Sequence, residues 1–374
     1  MDITQIICNL RSGGAERLAV DLSCALANAG HRVRFVMTDR RTGEAGESSK
    51  WDQLAACGIE VQSLNRVPGT GILGLMQATY GFASLLRTHP CDVIHSHLPY
   101  AHSIAVAARR LHQASARQIL TVHTSQETWQ GWQEKLIGSQ PIAYCSRVAL
   151  RRSNHANTGV WVVPNGVPLT SFATPRPERD PLADLAIPPQ RRRIISVGSL
   201  LEGKNYRTSL EAIGQLSYQH DVHFLVCGAG NAASLEAVAR RIGVWDRVAF
   251  LGPRPDVPSL LASSDLFLSA SRYEGMPIAV LEALASGLPC VLSPIEEHEE
   301  VAASMAGCLI AEENTPSPLT EACHKLLETP LDRLKLQAAR AAKLGGFSIS
   351  NCADRYLNIY HELVSRGNDA TRSK

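Results

Sequence analysis

Along nearly the whole of this chain, short apolar runs bounded by turn residues alternate with segments of helical periodicity. That alternation predicts βαβ units, in which each helix carries the chain back across a sheet face so that successive strands run parallel. In the first half, Ile3–Asn9 reads as the opening strand and Ala15–Ala29 as its helix, ended by Gly30 at a C-cap position. Arg32–Thr38, Glu60–Leu64, Val93–His95, Ile119–Val122, Pro141–Cys145 and Val160–Val163 read as the strands that follow. After the turn Pro164-Asn165-Gly166 the chain becomes dense in proline and charge from Thr174 to Arg193, the composition of a connecting segment. The alternation then restarts at Ile194–Val197, with further strands expected at 222–227, 247–251, 265–269 and Pro289–Leu292.

Two α/β halves of similar size predict two facing Rossmann-like domains with a cleft between them. The expected boundaries are 1–170 for the first domain, 171–193 for the linker and 194–349 for the second. An amphipathic helix over 350–366 would pack back toward the first domain, and 367–374 reads as a disordered tail. A length of 374 residues with 45% apolar and 19% charged residues is ample for two cores. The net charge of +2 gives no argument for nucleic acid. Residues 1–175 hold 16 Lys/Arg against 11 Asp/Glu, so this half carries +5 and the remainder −3. A mildly basic half suits an anionic acceptor or a membrane surface, and equally suits an ordinary solvated surface.

The ten cysteines stand singly, with no C-x-x-C pair and no secretory signal, which points to a reducing, cytoplasmic setting without disulfides or a zinc site. The longest apolar stretch, Gly71 to Leu86, is interrupted by Gln77, Thr79 and Ser84 and reads as a buried helix rather than a membrane span.

Several loops carry residues with chemistry. Gly13-Gly14 separates the first strand from its helix, where a backbone can approach a ligand closely and a helix N-terminus favours an anion. Asp92–His97 and Thr121–Thr124 are strand ends carrying His95, His97 and His123, and ligands gather at the carboxyl ends of parallel strands. Ser199 and Lys204 follow the first strand of the second half. Gly228-Ala229-Gly230-Asn231-Ala232-Ala233 superficially matches a dinucleotide fingerprint, but lies in the second strand–helix unit rather than the first. The most informative stretch is Ser271 to Pro289. It places Glu274 before a helix opened by Gly275, Met276 and Pro277, and Glu282 inside that helix, with seven residues between the glutamates. Proline suits a first helical turn, whose free N–H groups and dipole make a seat for a phosphate.

This last arrangement resembles the donor site of the retaining glycosyltransferases of family 4, which have the GT-B fold. The resemblance extends over nearly the whole chain and is most specific in residues 265–292. It implies a nucleoside-diphosphate sugar as donor, UDP-linked in the first instance and GDP-linked next, with no permanently bound cofactor and no metal. It implies that Glu274, Gly275, Met276 and Pro277 hold the donor sugar and phosphate, that Glu282 accepts the ribose hydroxyls, and that Lys204 pairs with the diphosphate. Gly13 and Gly14 would face the donor diphosphate, Gly228 would flank the nucleotide pocket, and Gly252, Pro253 and Arg254 would read the base. His123 would face the transferred sugar and acceptor, with His97 beside it on the acceptor side. His123, Lys204 and Glu274 are the residues expected to carry catalysis. Ser199 stands where the family often has an arginine; either Lys204 and backbone amides suffice there, or Arg207 or Arg254 supplies the compensating charge. The acceptor is expected to be a glycan or lipid-linked hydroxyl, reached from the cytoplasm with peripheral contact at the inner face of a membrane. The residues leave other readings open: a non-catalytic sugar-nucleotide-binding protein, an epimerase on the same architecture, or a nicotinamide-dependent oxidoreductase using the 228–233 turn.

Overall fold

The computed structural model describes every residue except 12, 126–139, 154–158 and 373–374. It divides into two compact units, Met1–Gly166 with Ile349–Lys374, and Val167–Ser348.

The first unit runs β1 (Asp2–Ile7), α1 (Gly14–Asn28), β2 (Arg32–Asp39), α2 (Ala45–Ala56), β3 (Glu60–Arg66), α3 (Gly71–Thr88), β4 (Val93–His97) and α4 (Pro99–His112). It continues with β5 (Arg117–Val122), β6 (Ile142–Tyr144), α5 (Arg147–Arg152) and β7 (Val160–Val162). The strands form one parallel sheet in the order β3-β2-β1-β4-β5-β6-β7. The order reverses direction between β1 and β4, so the crevice at a topological switch point falls beside the loops that follow these two strands. α1 is held by a buried stripe, Leu18, Leu22 and Leu26, at the four-residue spacing of one helix face. β4 extends to His97, two residues beyond the sequence expectation, so both of its histidines belong to the strand.

α3 departs from expectation. It buries only one face, through Gly74, Ala78, Phe82, Ala83, Leu85 and Leu86, against α4 and β3. Ile72 and Leu73 are 74% and 77% exposed, and Met76 and Tyr80 are 48% and 59% exposed. A run apolar on all sides reads as buried, but among the described residues only one side of this helix packs closely, against α4 and β3.

The second unit runs α6 (Leu169–Phe172), β8 (Arg192–Val197), α7 (Tyr206–Leu216), β9 (Val222–Cys227), α8 (Ala233–Arg241), β10 (Val248–Gly252), α9 (Val257–Ala262) and β11 (Leu266–Ser269). It ends with α10 (Ile278–Ala285), β12 (Cys290–Leu292), α11 (Glu296–Ala302), β13 (Cys308–Ile310), α12 (Pro316–Glu328) and α13 (Arg333–Gly345). Its sheet is again parallel, in the order β10-β9-β8-β11-β12-β13, with the switch point between β8 and β11. Leu210, Ile213, Phe224, Leu268, Val291 and Leu319 pack in its core. β13 has three residues, too few for an alternation pattern to reveal it. The chain then returns to the first unit as α14 (Ile349–Arg372), which buries Cys352, Tyr356, Ile359, Tyr360 and Leu363 and packs on α1 and β5. The helix runs on past Arg366 to Arg372.

One buried cation ties the second unit together. Arg340 on α13 is wholly buried and donates from Nε to the Ala306 carbonyl at 2.8 Å. Its Nη1 donates to the carbonyls of Leu284 at 3.0 Å and Leu288 at 2.9 Å. Leu284 lies in the last turn of α10 and Leu288 just past it, so the guanidinium caps the C-terminal end of the helix that carries Glu282. Arg340→Met would leave the Ala306 carbonyl without its donor and strip one donor each from Leu284 and Leu288, which keep Gly287 N and Cys290 Sγ. The expected loss is about 3 kcal/mol of unfolding free energy, seen as a lower urea midpoint at unchanged slope.

Candidate functional site

In the second unit the carboxyl ends of four neighbouring strands, β10, β9, β8 and β11, bring their loops together. Backbone hydrogen bonds join these loops directly. Gly198 N donates to the Cys227 carbonyl at 2.9 Å, Gly228 N to that of Gly252 at 2.9 Å, and Leu200 N to that of Ala229 at 2.7 Å. The glycines make this approach feasible. A Cβ on Gly228 would lie 1.9 Å from the Gly198 carbonyl oxygen, and one on Gly230, whose φ is +138°, would lie 2.6 Å from the Leu200 Cβ. The glycines of the 228–233 turn are thus accounted for by loop-on-loop packing.

Lys204 ends the loop after β8 and Glu274 lies in the loop after β11, the two strands that flank the switch point. Their side chains meet: Lys204 Nζ is 2.5 Å from Glu274 Oε1, which also accepts from Ser271 Oγ at 2.7 Å. Burial by itself would raise the Glu274 pKa, but the Lys204 charge and hydrogen bond outweigh it, and the carboxyl is held below its usual range. The loops are also fastened by Arg272, whose N–H donates to the Gly203 carbonyl at 2.8 Å and whose guanidinium pairs with Glu202 at 3.1 Å. Tyr273 packs on Gly203, where a Cβ would come within 2.7 Å of the ring.

Gly275, Met276 and Pro277 are buried between Glu274 and α10. Pro277 serves as the cap residue, not the first helical residue, its carbonyl accepting from Val280 N at 3.0 Å and Leu281 N at 3.2 Å. Glu282 follows in the second turn of α10 and is 7% exposed. Its charge reaches the end of β9: burial first, then Asp256 and Glu282, push the Cys227 thiol up to about 12 against the opposing pull of Arg254. Gly252 closes β10 in a left-handed conformation with φ +64°. Pro253 beyond it is exposed.

The two arginines expected to compensate for Ser199 have partners of their own. Arg254 donates to both carboxylate oxygens of Asp256, at 2.8 Å and 2.6 Å, and Arg207 pairs with Glu211 one turn along α7 at 3.2 Å. The cation placed at the Ser199 loop is Lys204.

Residues without a recognisable motif complete this region. Asn314 Nδ2 donates to the carbonyls of Ala270 and Ser271 at 3.0 Å and 3.1 Å, and Ser293 Oγ donates to the Ser271 carbonyl at 2.6 Å. His298 is wholly buried, with Nδ1 2.9 Å from the Ser293 carbonyl and Nε2 3.4 Å from Ser269 Oγ. Burial lowers its pKa while the nearby Glu274 charge opposes that shift. These groups fix the 270–277 loop from behind.

In the first unit, Gly13 precedes α1 with φ −178°, an extended conformation open to any residue. A Cβ there would meet only the flexible Glu16 carboxylate, at 2.1 Å. Gly14 is exposed at the start of the helix. His97, at the end of β4, is wholly buried and engages both ring nitrogens, Nε2 with Gln5 Oε1 at 2.8 Å and Nδ1 with His123 Nε2 at 3.0 Å. His123 follows β5 and keeps partial exposure, yet its Nδ1 is buried with no hydrogen-bond partner among the described residues. Burial lowers its pKa, so the ring is neutral at physiological pH. A separate His220–His324–Glu328 group, with His220 Nε2 2.8 Å from His324 Nδ1, stands before β9 at the opposite end of the sheet from Lys204 and Glu274.

Residues 12–171 match the model of "Glycosyltransferase Family 4", and residues 191–329 match that of "Glycosyl transferases group 1". Among curated relatives, the Escherichia coli UDP-Gal:alpha-D-GlcNAc-diphosphoundecaprenol alpha-1,3-galactosyltransferase is 27% identical over 212 residues, 55% of this chain and 54% of that one. The N-acetyl-alpha-D-glucosaminyl L-malate synthase of Bacillus anthracis is 21% identical over 375 residues, 96% of each chain. The structure of Anabaena HepE in complex with UDP-glucose superposes with a TM-score of 0.81 at 17% identity, covering 97% of this chain and all of that one (100%).

Proposed function

The chain belongs to glycosyltransferase family 4 and has the GT-B fold, and from that premise we propose a retaining, metal-independent transfer. A hexose or N-acetylhexosamine would move from a nucleoside-diphosphate sugar to a hydroxyl of a glycan or lipid-linked acceptor.

The observation that carries this reading is the Lys204–Glu274 pair on the two loops at the switch point of the second unit. Cleavage of the glycosyl–phosphate bond leaves negative charge on a nucleoside diphosphate. A lysine fixed at that place offsets the charge as it develops, as do the N–H groups that open α10. Glu274, kept ionised by Lys204, is an acceptor for hydroxyls of the transferred sugar, and Glu282 for the vicinal ribose hydroxyls. With a positioned cation and no enzymic nucleophile in this assignment, the acceptor oxygen attacks from the face the phosphate leaves. It forms the new glycosidic bond as the old one breaks, and its proton departs with the phosphate. His123 would stand beside the transferred sugar. UDP is preferred over GDP because the similar HepE structure holds UDP-glucose and the similar Escherichia coli enzyme is named for UDP-Gal.

The test is a transfer assay with UDP-hexoses and UDP-N-acetylhexosamines in EDTA, reading the anomeric configuration of the product by NMR. The expected product keeps the donor's α configuration. An inverted product, or transfer restored only by added divalent cation, contradicts the mechanism.

The exposed stripe of α3 supports the membrane part of the reading. Ile72, Leu73, Met76 and Tyr80 are exposed on a helix that contains no acidic residue and ends with Arg87. That composition suits a helix lying in a lipid interface. No helix among the described residues is long and apolar enough to cross a membrane. Co-sedimentation with anionic vesicles is expected for the native chain and lost in Leu73→Glu. Equal sedimentation of both would remove α3 from this role.

A further inference from the structure

Behind His123 the first unit buries a connected set of polar side chains that its strand ladders do not require. Gln5 on β1, His95 and His97 on β4, Thr121 on β5, and Tyr356 and Tyr360 on α14 are all 0% exposed. Six uncharged polar groups at the centre of a parallel sheet are costly unless they satisfy one another. Here they do. His95 Nδ1 is 2.6 Å from the Tyr360 hydroxyl and His95 Nε2 is 2.7 Å from Thr121 Oγ1, which in turn is 2.7 Å from the Tyr356 hydroxyl. Gln5 Oε1 meets His97 Nε2 at 2.8 Å, and His97 Nδ1 meets His123 Nε2 at 3.0 Å.

Burial holds all three histidines neutral, so each has one N–H and one bare nitrogen. The proton positions then follow in sequence. A carbonyl oxygen can only accept, so His97 Nε2 carries the hydrogen that meets Gln5. His97 Nδ1 is therefore bare and accepts from His123 Nε2–H. His123 is left with a bare Nδ1, the buried atom that has no partner among the described residues. Gln5 Nε2 is buried with no hydrogen-bond partner among the described residues, so the second set, Tyr360, His95, Thr121 and Tyr356, orders its hydrogens separately. Turning the Gln5 amide over would reverse the two bonds between Gln5 and His123 and put a hydrogen on His123 Nδ1.

We propose that Gln5 is a positioning residue that, through His97, fixes the tautomer of His123, with Nε2 protonated and the buried Nδ1 bare. This rests on the reading above that places His123 beside the reacting sugar, where a single tautomer holds the ring in one orientation.

The test is ¹⁵N-histidine NMR of the full chain, with His123 assigned by the signals lost in His123→Ala. The native protein is expected to show His123 neutral and protonated on Nε2. Gln5→Met removes the carbonyl and is expected to give a mixture of tautomers, with kcat lowered roughly tenfold and the donor KM unchanged. That loss is smaller than the ~10²–10⁴ that a positioned proton-transfer group supplies, as expected of a residue that acts through another. Gln5→Glu, whose carboxylate can only accept when ionised, should restore the Nε2–H tautomer. A native His123 protonated on Nδ1 overturns the proposal, and that measurement does not depend on any variant folding. A tautomer that shifts in Gln5→Met without a change in kcat overturns the link between that tautomer and transfer. Neither result touches the glycosyltransferase reading, which fails separately if the native chain transfers no sugar from any nucleoside-diphosphate donor.

Discussion

Lys204→Ala is expected to lower kcat/KM for glycosyl transfer by roughly a thousandfold, the scale seen when one preorganised electrostatic partner of a developing charge is removed. The reason is positional as much as electrostatic. Lys204 is fixed against Glu274 at 2.5 Å between two loops that are themselves joined by Arg272, so its charge needs no reorganisation as the diphosphate departs. Glu274→Ala is expected to fall as far, because it removes a sugar ligand and releases the lysine together. Both variants should keep their far-ultraviolet circular dichroism. A pH signature distinguishes them from a general loss of structure. In the native chain Glu274 titrates below its usual range, so its stabilising contribution is full above the ordinary carboxylate pKa and lost as pH falls through the depressed folded value. Without Lys204 the largest influence left on Glu274 is burial, which raises its pKa. In Lys204→Ala the folded state therefore takes up the Glu274 proton more readily than the unfolded chain, and acidification adds stability through this group where in the native protein it removes it. Identical acid profiles would show that the ion pair does not govern Glu274.

Gly228→Ala is the second large effect. The added Cβ would sit 1.9 Å from the Gly198 carbonyl oxygen, 2.5 Å from its carbon and 3.1 Å from Ser199 N. All of these are backbone atoms, so relief requires moving the 198–204 loop that carries Lys204. A loss of about 3 kcal/mol in urea unfolding is expected, together with loss of nucleotide binding in the fraction that folds. Gly13→Ala serves as the contrast. There the obstacle is the Glu16 side chain, which can swing away, and stability should change little. Equal behaviour of the two variants would mean that loop-on-loop packing does not set the donor site.

The parallel architecture was legible because strands such as β2, β8 and β9 each carry a short apolar run, Phe35–Met37, Ile194–Ile195 and Phe224–Cys227, between segments of helical pattern. The loops bearing Lys204 and Glu274 could be read because their residues cluster in sequence within a few positions of a strand end. What the sequence could not show is what depends on distant partners. Tyr360 lies 265 residues from His95, and nothing in either local pattern announces their contact. His298 and Asn314 act by supporting the 270–277 loop from later elements, with ordinary neighbours in sequence. Arg340 would pass for a surface residue of an amphipathic helix, yet it is wholly buried on three carbonyls. The exposed face of α3 was hidden for the opposite reason, since apolar composition alone says nothing of which side finds a partner. Arg207 and Arg254 looked available as cations until Glu211 and Asp256 were seen to hold them.

The central claim is a donor site for a nucleoside diphosphate built on Lys204 and independent of metal. Isothermal titration calorimetry of UDP, GDP and NAD into the native chain and Lys204→Ala, all in EDTA, tests it most directly. The account predicts saturable binding of UDP by the native chain, weaker or absent binding of GDP, no binding of NAD, and loss of the UDP signal in Lys204→Ala. Binding of NAD alone, or UDP binding that survives unchanged in Lys204→Ala, would contradict it.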